Sequence, residues 1–229
     1  DVKSIYEVPI NFEKEHVGDM VSEILGLTKN VSVARKAEGE KSRKAWAHFV
    51  KRACTVTDEV KIAIVGKYFD TGDFVLSDAY LSVIEAIKHA AYAQNKKPVI
   101  TWVNSGDFEV SKDTKQVDVT KKLKTLGSYD GILVPGGFGS RGIQGKLEAI
   151  RYARENKIPY LGLCYGMQLA VIEFAQHVSG IKGATSKELD DKALHQVISI
   201  MESQKETLKG KKYGGSMRLG AYDAVLKKG

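Results

Sequence analysis

Four short apolar runs that alternate with amphipathic segments constrain this fold more than any other feature of the chain. The runs begin at residue 60 and read VKIAIVG, PVITWV, YDGILV and IPYLGL. Each is almost continuously apolar, which is typical of strands buried on both faces. The segments between them have helical spacing, most clearly SDAYLSVIEAIKHAAYAQN after the first run. The pattern predicts an α/β fold with three layers, in which helices cover both faces of a doubly wound, mostly parallel sheet.

Residues 1–59 lack the alternation of apolar runs and helical segments that marks the rest of the chain. The stretch NFEKEHVGDMVSEILGL has apolar residues at helical spacing and ends near Gly26, a common helix stop. KNVSVARKAEGEKS is polar and charged, so we expect a linker there. SRKAWAHFVKRAC then places Trp46 and Phe49 on one helical face, which indicates a surface that docks onto the neighbouring domain. We therefore expect a boundary near residue 59, with a second domain over residues 60–229.

Composition excludes several classes of protein. No run approaches the roughly 18 apolar residues of a membrane span, and the N-terminus lacks the pattern of a signal peptide. The two cysteines, Cys54 and Cys164, are too few for a disulfide framework, and no Cys or His pair has metal-ligand spacing. We expect a cytoplasmic protein without a metal site. The net charge of +7 comes from scattered lysines without a nucleic-acid motif, so we expect neither nucleic acid nor a membrane as a partner.

Two glycine-rich segments follow the third and fourth predicted strands, at the edge where function collects in such sheets. The second of them, CYGMQ, places Cys164 between a strand and a helix, which is where a nucleophile would stand. Gly162 and Gly166 flank it at the spacing that close packing of such a turn needs. A helix N-terminus favours a thiolate, but a free cysteine is also a common inert core residue. The turn alone leaves both interpretations open.

The segment after the third strand, PGGFGSRG, favours the nucleophile. Backbone N–H groups of Gly136, Gly137 and Phe138 can point at a developing oxyanion, although a phosphate-binding or merely tight turn is the alternative. No GxxxxGK[ST] motif is present, and no GxGxxG follows the first strand. A P-loop and a dinucleotide-binding fold are therefore disfavoured.

Taken together, the two segments resemble the class I (triad) glutamine amidotransferases, whose mark is a Gly-x-Cys-x-Gly elbow beside a Gly-Gly oxyanion strand. The resemblance implies the flavodoxin-like fold of class I glutaminases. Longer strings are similar to the CTP synthase family in particular, namely VPGGFGSRGIQGK, ARENKIPYLGLCYGMQLAVIEFA, GGSMRLG and DVKSIYEVP. That similarity extends from residue 1 to about residue 221.

The resemblance implies a glutaminase that hydrolyses L-glutamine through a cysteine thioester and supplies ammonia to a synthase domain of the same polypeptide. That domain would aminate UTP to CTP with ATP and Mg²⁺. It would precede residue 1, so these nucleotide and metal sites would lie outside this chain, and residues 1–59 would be its tail and an interdomain linker. The resemblance also implies GTP as an allosteric activator and a homotetramer that can form filaments.

Residue roles come from matching positions in the family's motifs. Cys164 would be the nucleophile, and Gly137 with the N–H of Tyr165 would hold the oxyanion. The residues implied for the glutamine pocket are Tyr165, Gly166, Met167, Gln168 and Glu188, the last of them at the ammonium group of the substrate. Phe138 and Arg218 would contact GTP. Tyr165 departs from the family, which usually has Leu there, and TSKEL replaces NSTEF while keeping Glu188 in register.

The family's catalytic His and Glu lie in a late segment that ends in HPE, and this chain has no such segment. Of its five histidines, none is followed by Pro-Glu. His177 lies thirteen residues beyond Cys164 on the predicted helix, which is about 20 Å at 1.5 Å per residue. We therefore expect the base to lie beyond residue 229 and the fragment alone to be inactive. A glutaminase of another class I amidotransferase and a non-catalytic regulatory or assembly module with the same fold remain open alternatives.

Overall fold

A four-stranded parallel sheet forms the centre of the computed structural model. The residues that the structure describes are 2–27, 33–66, 80–110, 115–137 and 142–200. The strands are β1 (Glu59–Gly66), β2 (Lys97–Asn104), β3 (Gly131–Val134) and β4 (Tyr160–Gly162). They lie in the order β2-β1-β3-β4, and all three pairings are parallel. Each of the four strands coincides with one of the apolar runs to within a few residues, so the predicted strands are confirmed.

Seven α-helices accompany the sheet in the described part of the chain. They are α1 (Val8–Lys14), α2 (Val17–Ile24), α3 (Val33–Thr55), α4 (Leu81–Ala93), α5 (Gln116–Thr125), α6 (Ile143–Glu155) and α7 (Tyr165–His177). None of the helices in the described ranges is both long enough and apolar enough to cross a membrane.

Successive residues of β1 and β3 point to opposite faces of the sheet, and helices bury both faces. On one face, Val65 and Val134 pack in a core that includes Leu147 of α6 and Leu169 of α7. On the other face, the buried Ile64 and Leu133 meet Val83 and Ile87 of α4. This two-sided burial explains why the runs are continuously apolar, and it confirms the doubly wound α/β architecture.

A second, smaller sheet follows α7. It pairs β5 (Thr185–Ser186) with β6 (Gln196–Ile198) in parallel. β6 lies in the sequence HQVISIM, where the pattern indicated a further strand. The other predicted late strand, AYDAVL, lies outside the described residues.

The N-terminal region is more helical than its sequence indicated. α2 ends where predicted, with Gly26 in the left-handed region at φ 66°. The prediction of a linker is wrong for residues 33–42, because these belong to the long helix α3. Residues 37–42 are mostly exposed, which suits a polar composition, and the Ala, Arg, Lys and Glu residues of the segment are good helix formers. The Glu40–Lys44 pair at 2.8 Å, one turn apart, adds a small stabilisation.

Five rings join the N-terminal helices to the sheet domain, and we call them the aromatic cluster. Its members are Tyr6, Trp46, Phe49, His89 and Tyr92. The centroid of Phe49 lies 5.1 Å from that of His89 and 5.9 Å from that of Tyr92, both on α4. The indole N–H of Trp46 donates to the carbonyl oxygen of Tyr6 at 2.9 Å. The predicted docking face of α3 is therefore confirmed, with α4 as its partner.

Candidate active site

Cys164 occupies a sharp turn between β4 and α7. Its backbone has φ 51° and ψ −104°, a conformation that costs energy in a residue with a Cβ. The residue is exposed at the N-cap position of α7, and its side chain takes no part in capping the helix. A strained residue that presents its side chain on a strand-to-helix turn has the geometry of a nucleophile elbow.

The two flanking glycines make this turn sterically feasible. A Cβ on Gly166 would lie 2.1 Å from the carbonyl oxygen of Val134, and a Cβ on Gly162 would lie 2.5 Å from the backbone of Gly166. The N–H of Leu163 donates to the Val134 oxygen at 3.0 Å, which holds the turn against β3. The Tyr160 hydroxyl donates to the carbonyl oxygen of Gly166 at 2.8 Å. The glycine spacing seen in the sequence therefore reflects direct contact between backbones.

The glycine-rich turn after β3 lies directly beside the elbow. A Cβ on Gly136 would lie 3.5 Å from the Cβ of Cys164 and 4.0 Å from its Sγ. β3 and β4 are hydrogen-bonded neighbours, so their carboxyl ends meet at one edge of the sheet. The structure thus brings together the two segments that the sequence suggested. The oxyanion role of Gly137, the next residue of this turn, stays a prediction.

The side chain of Lys146, which sequence reasoning did not single out, is buried beside this turn. Only 7% of Lys146 is exposed. Its Nζ lies 4.0 Å from the position of a Cβ on Gly137 and 5.5 Å from the ring centroid of Tyr165. A signal was present in the sequence, because Lys146 shares the helical spacing of the buried residues Ile150 and Ala153.

Tyr165 fills the space behind the elbow. It is 2% exposed, and burial together with the nearby Glu188 carboxylate raises the pKa of Tyr165 to about 12. The phenol is therefore neutral at physiological pH. The charge of Glu188 therefore acts on the Tyr165 side chain, although Glu188 follows Cys164 by 24 residues in sequence.

The other residues named for the glutamine pocket have different surroundings. Gly166 is buried against β3, and Gln168 is partly buried, its N–H donating to the carbonyl oxygen of Cys164 at 3.1 Å. Met167 is 54% exposed and lines an apolar groove along α7 with Val171 and Phe174. Their contacts with a substrate stay predictions.

Phe138 and Arg218 lie outside the described residues.

Two of the histidines have contacts elsewhere in the fold. His177 ends α7, opposite Cys164, and its Nδ1 lies 3.3 Å from a carboxylate oxygen of the buried Glu173. His89 belongs to the aromatic cluster. Within the ranges that the structure describes, no group of three or more His, Cys, Asp or Glu side chains could hold a metal ion.

Comparison with known families defines the class of protein. The model of the class-I glutamine amidotransferases matches residues 75–225. The match includes the elbow and the turn after β3, whose geometry is described above. This chain therefore belongs to the class-I glutamine amidotransferase family.

Two relatives match this chain over its whole length. The chain is 44% identical over its whole length to a CTP synthase of Methanocaldococcus jannaschii, of which it covers 39%. It is 46% identical, again over its whole length, to a CTP synthase of Caldanaerobacter subterraneus, of which it covers 38%. The chain thus spans about two fifths of the length of these relatives, and it is similar throughout to their glutaminase portion.

A solved structure supports the same relationship at the level of the fold. It is the glutaminase domain of Trypanosoma brucei CTPS with bound acivicin, which is 38% identical to this chain with a TM-score of 0.56. The similarity covers 65% of this chain and 53% of that one. The α/β fold with its parallel sheet is therefore that of a class I glutaminase.

Proposed function

We propose that this chain is the glutamine-hydrolysing part of an enzyme that passes the released ammonia to UTP and forms CTP with ATP. The observation that carries the proposal is the backbone of Cys164, which is held in a nucleophile elbow beside the glycine turn that follows β3. The similarity to CTP synthases over the whole chain supports UTP as the final acceptor.

In the proposed mechanism, the Cys164 thiolate attacks the side-chain amide carbon of glutamine. The electron pair of the C=O bond moves to oxygen, and the N–H groups of Gly137 and Tyr165 stabilise that oxyanion. The C–N bond then breaks, ammonia leaves after protonation, and a γ-glutamyl thioester remains on Cys164. Water hydrolyses the thioester to glutamate. The His that transfers these protons stays a prediction.

Substrate recognition is proposed to depend on charge. Glu188 would accept hydrogen bonds from the α-ammonium group of glutamine, and its position near Tyr165 puts a negative charge close to the elbow. Removing that charge in Glu188→Gln should raise KM for glutamine roughly tenfold with a smaller change in kcat. An unchanged KM would remove Glu188 from the pocket.

The wider assembly is proposed from family membership. Residues 1–59 would belong to the tail of a synthase domain and its connection, and residues 60–229 would form the glutaminase domain. ATP, UTP and Mg²⁺ would bind in the synthase domain of a cytoplasmic homotetramer that can form filaments. GTP would activate the enzyme near Phe138 and Arg218.

The decisive experiment uses the full-length protein and acivicin, a glutamine-like electrophile. We expect acivicin to modify Cys164 and not Cys54, as read by peptide mass spectrometry. Cys164→Ala should abolish glutamine hydrolysis, whereas the matched variant Cys54→Ala should retain it. Modification at Cys54, or full hydrolysis by Cys164→Ala, would overturn the proposal. The chain of residues 1–229 alone is expected to lack steady turnover, and ammonia release from it would contradict that expectation.

A further inference from the structure

Lys146 is only 7% exposed, and its ammonium group lies at the turn that is proposed to hold the oxyanion. Burying a cation costs several kcal/mol unless polar or charged groups stabilise it, and an apolar residue would serve the core of α6 better. The neighbours of Lys146 on the inner face of the helix, Leu147, Ala149 and Ile150, are indeed apolar and buried. The lysine therefore requires an explanation other than packing.

Two contacts hold the helix backbone immediately before Lys146. A Cβ on the preceding Gly145 would lie 1.8 Å from the carbonyl oxygen of Ser105, so the first turn of α6 touches the backbone after β2 directly. The N–H of Gly145 donates to the carboxylate of Glu109 at 3.1 Å, which also stabilises this helix N-terminus. These two contacts set the position of the Lys146 backbone, from which its side chain reaches the glycine turn.

Two consecutive residues of the glycine turn lie beside the Cys164 thiol and the Lys146 ammonium group. Gly136 adjoins Cys164, with 4.0 Å between its Cβ position and Sγ, and Gly137 adjoins Lys146, with 4.0 Å between its Cβ position and Nζ. Titratable side chains near this place include Tyr165 on α7, which is a neutral phenol, Glu188, which acts on the Tyr165 ring, and Glu109, which accepts from the N–H of Gly145. The Lys146 cation itself lies beside the glycine turn.

We propose that Lys146 is a positioning residue for glutamine hydrolysis, which holds the Gly136–Gly137 turn in place and adds positive potential where the amide oxygen becomes negative. Charge placed in advance of the reaction stabilises a transition state without reorganisation. The role rests on the proposed glutaminase function. It differs from the role of the oxyanion donors, because Lys146 acts through the turn and its field and does not touch the substrate.

A pair of alkylating reagents measures that field without any catalysis. Iodoacetate is an anion and iodoacetamide is neutral. The rate of iodoacetate at Cys164 divided by that of iodoacetamide therefore rises with a more positive potential at the thiol. In the full-length protein, Lys146→Met should lower this ratio roughly three- to tenfold, the size of effect expected from one nearby charge in a partly screened site. Lys146→Arg should keep the ratio near wild type. Lys124→Met, which removes an exposed lysine of α5, is the matched control and should leave the ratio unchanged.

Steady-state kinetics supply the second measurement. Lys146→Met should lower kcat for glutamine hydrolysis roughly tenfold with little change in KM, because the interaction acts in the transition state. Lys146→Arg should recover part of kcat. Should Lys146→Met fail to fold, Lys146→Gln takes its place in both assays, with the thermal unfolding midpoint as the check on folding.

The two proposals fail in different ways. A neutral variant with the wild-type alkylation ratio and the wild-type kcat would overturn the role of Lys146. A wild-type protein that neither hydrolyses glutamine nor reacts with acivicin would overturn the glutaminase function, and the alkylation ratio would still decide whether Lys146 sets the potential at Cys164.

Discussion

The elbow between β4 and α7 and the long helix α3 each carry one of the two cysteines, and both thiols are exposed. Cys164 has a left-handed backbone at the N-terminus of its helix, whereas Cys54 lies in the last turn of α3 with ordinary helical geometry. A helix N-terminus favours a thiolate, and a C-terminus does not. Exposure therefore does not distinguish the two cysteines, but the backbone around them does.

The two regions also differ in what holds them to the sheet. At the elbow, backbone meets backbone, and a Cβ on Gly166 would overlap the Val134 oxygen. α3 is held by side chains, chiefly Phe49 and Trp46 of the aromatic cluster. A contact between backbones cannot adjust to an added methyl group, whereas a cluster of partly exposed rings can. We expect the elbow to be the far less tolerant region.

The largest effect is expected for Gly166→Ala. The added Cβ would lie 2.1 Å from a backbone oxygen, so either β3 or the elbow must shift, at a cost of at least about 3 kcal/mol in the free energy of unfolding. Gly39→Ala in α3 is the matched control. Its Cβ would meet only the side chain of Arg43 at 3.8 Å, so we expect a gain of about 0.5–1 kcal/mol. Urea unfolding measures both, and equal effects would contradict the comparison.

Next in size is Phe49→Ala in the aromatic cluster. Loss of the ring contacts with Tyr6, His89 and Tyr92 should destabilise the fold by about 2–3 kcal/mol, since Phe49 is only partly buried. Acivicin modification of Cys164 should continue at the wild-type rate, because the cluster packs on α4 and not on the elbow. A slowed modification in a folded variant would show that the two regions are coupled.

The cysteines themselves give a smaller, direct test. At neutral pH, iodoacetamide should modify Cys164 about ten times faster than Cys54 or more, because only Cys164 lies at a helix N-terminus. Peptide mass spectrometry of one timed reaction provides both rates in the same sample. Equal rates would mean that the elbow does not activate its thiol.

The smallest expected effect concerns Glu85 on α4, which accepts hydrogen bonds from Tyr6 and Lys88. Burial raises the pKa of Glu85, but those two hydrogen bonds outweigh it and hold the pKa below the ordinary value of 4.5. The stabilisation is complete above that value and is lost as the pH falls through the lower pKa of the folded state. Glu85→Gln should therefore lose less stability than wild type between pH 6 and pH 3.5, by about 0.5–1 kcal/mol. Thermal unfolding at both pH values measures this, with the exposed Glu23→Gln as control.

Local patterns were sufficient for much of the architecture. The strands were predictable because a strand buried on both faces must be apolar at every position, and that requirement is visible in β3 and in residues 63–66 of β1. The elbow was predictable because Gly162 and Gly166 mark a contact that no other residue permits. The boundary of α3 was not, since a solvated helix and a linker share a polar composition.

The sequence by itself determined the alternation of strands and helices, the family, and the candidate nucleophile Cys164, because each depends on residues close together in the chain. Helical spacing indicates that Lys146 faces the core, but only the tertiary structure decided that it lies beside Gly137 and that the charge of Glu188 acts on Tyr165. Both facts depend on the strand order β2-β1-β3-β4, which brings the ends of β3 and β4 to one edge of the sheet. Packing brings together residues that are distant in sequence. Periodicity along the chain indicates which side of a helix is buried, but not which residues meet there.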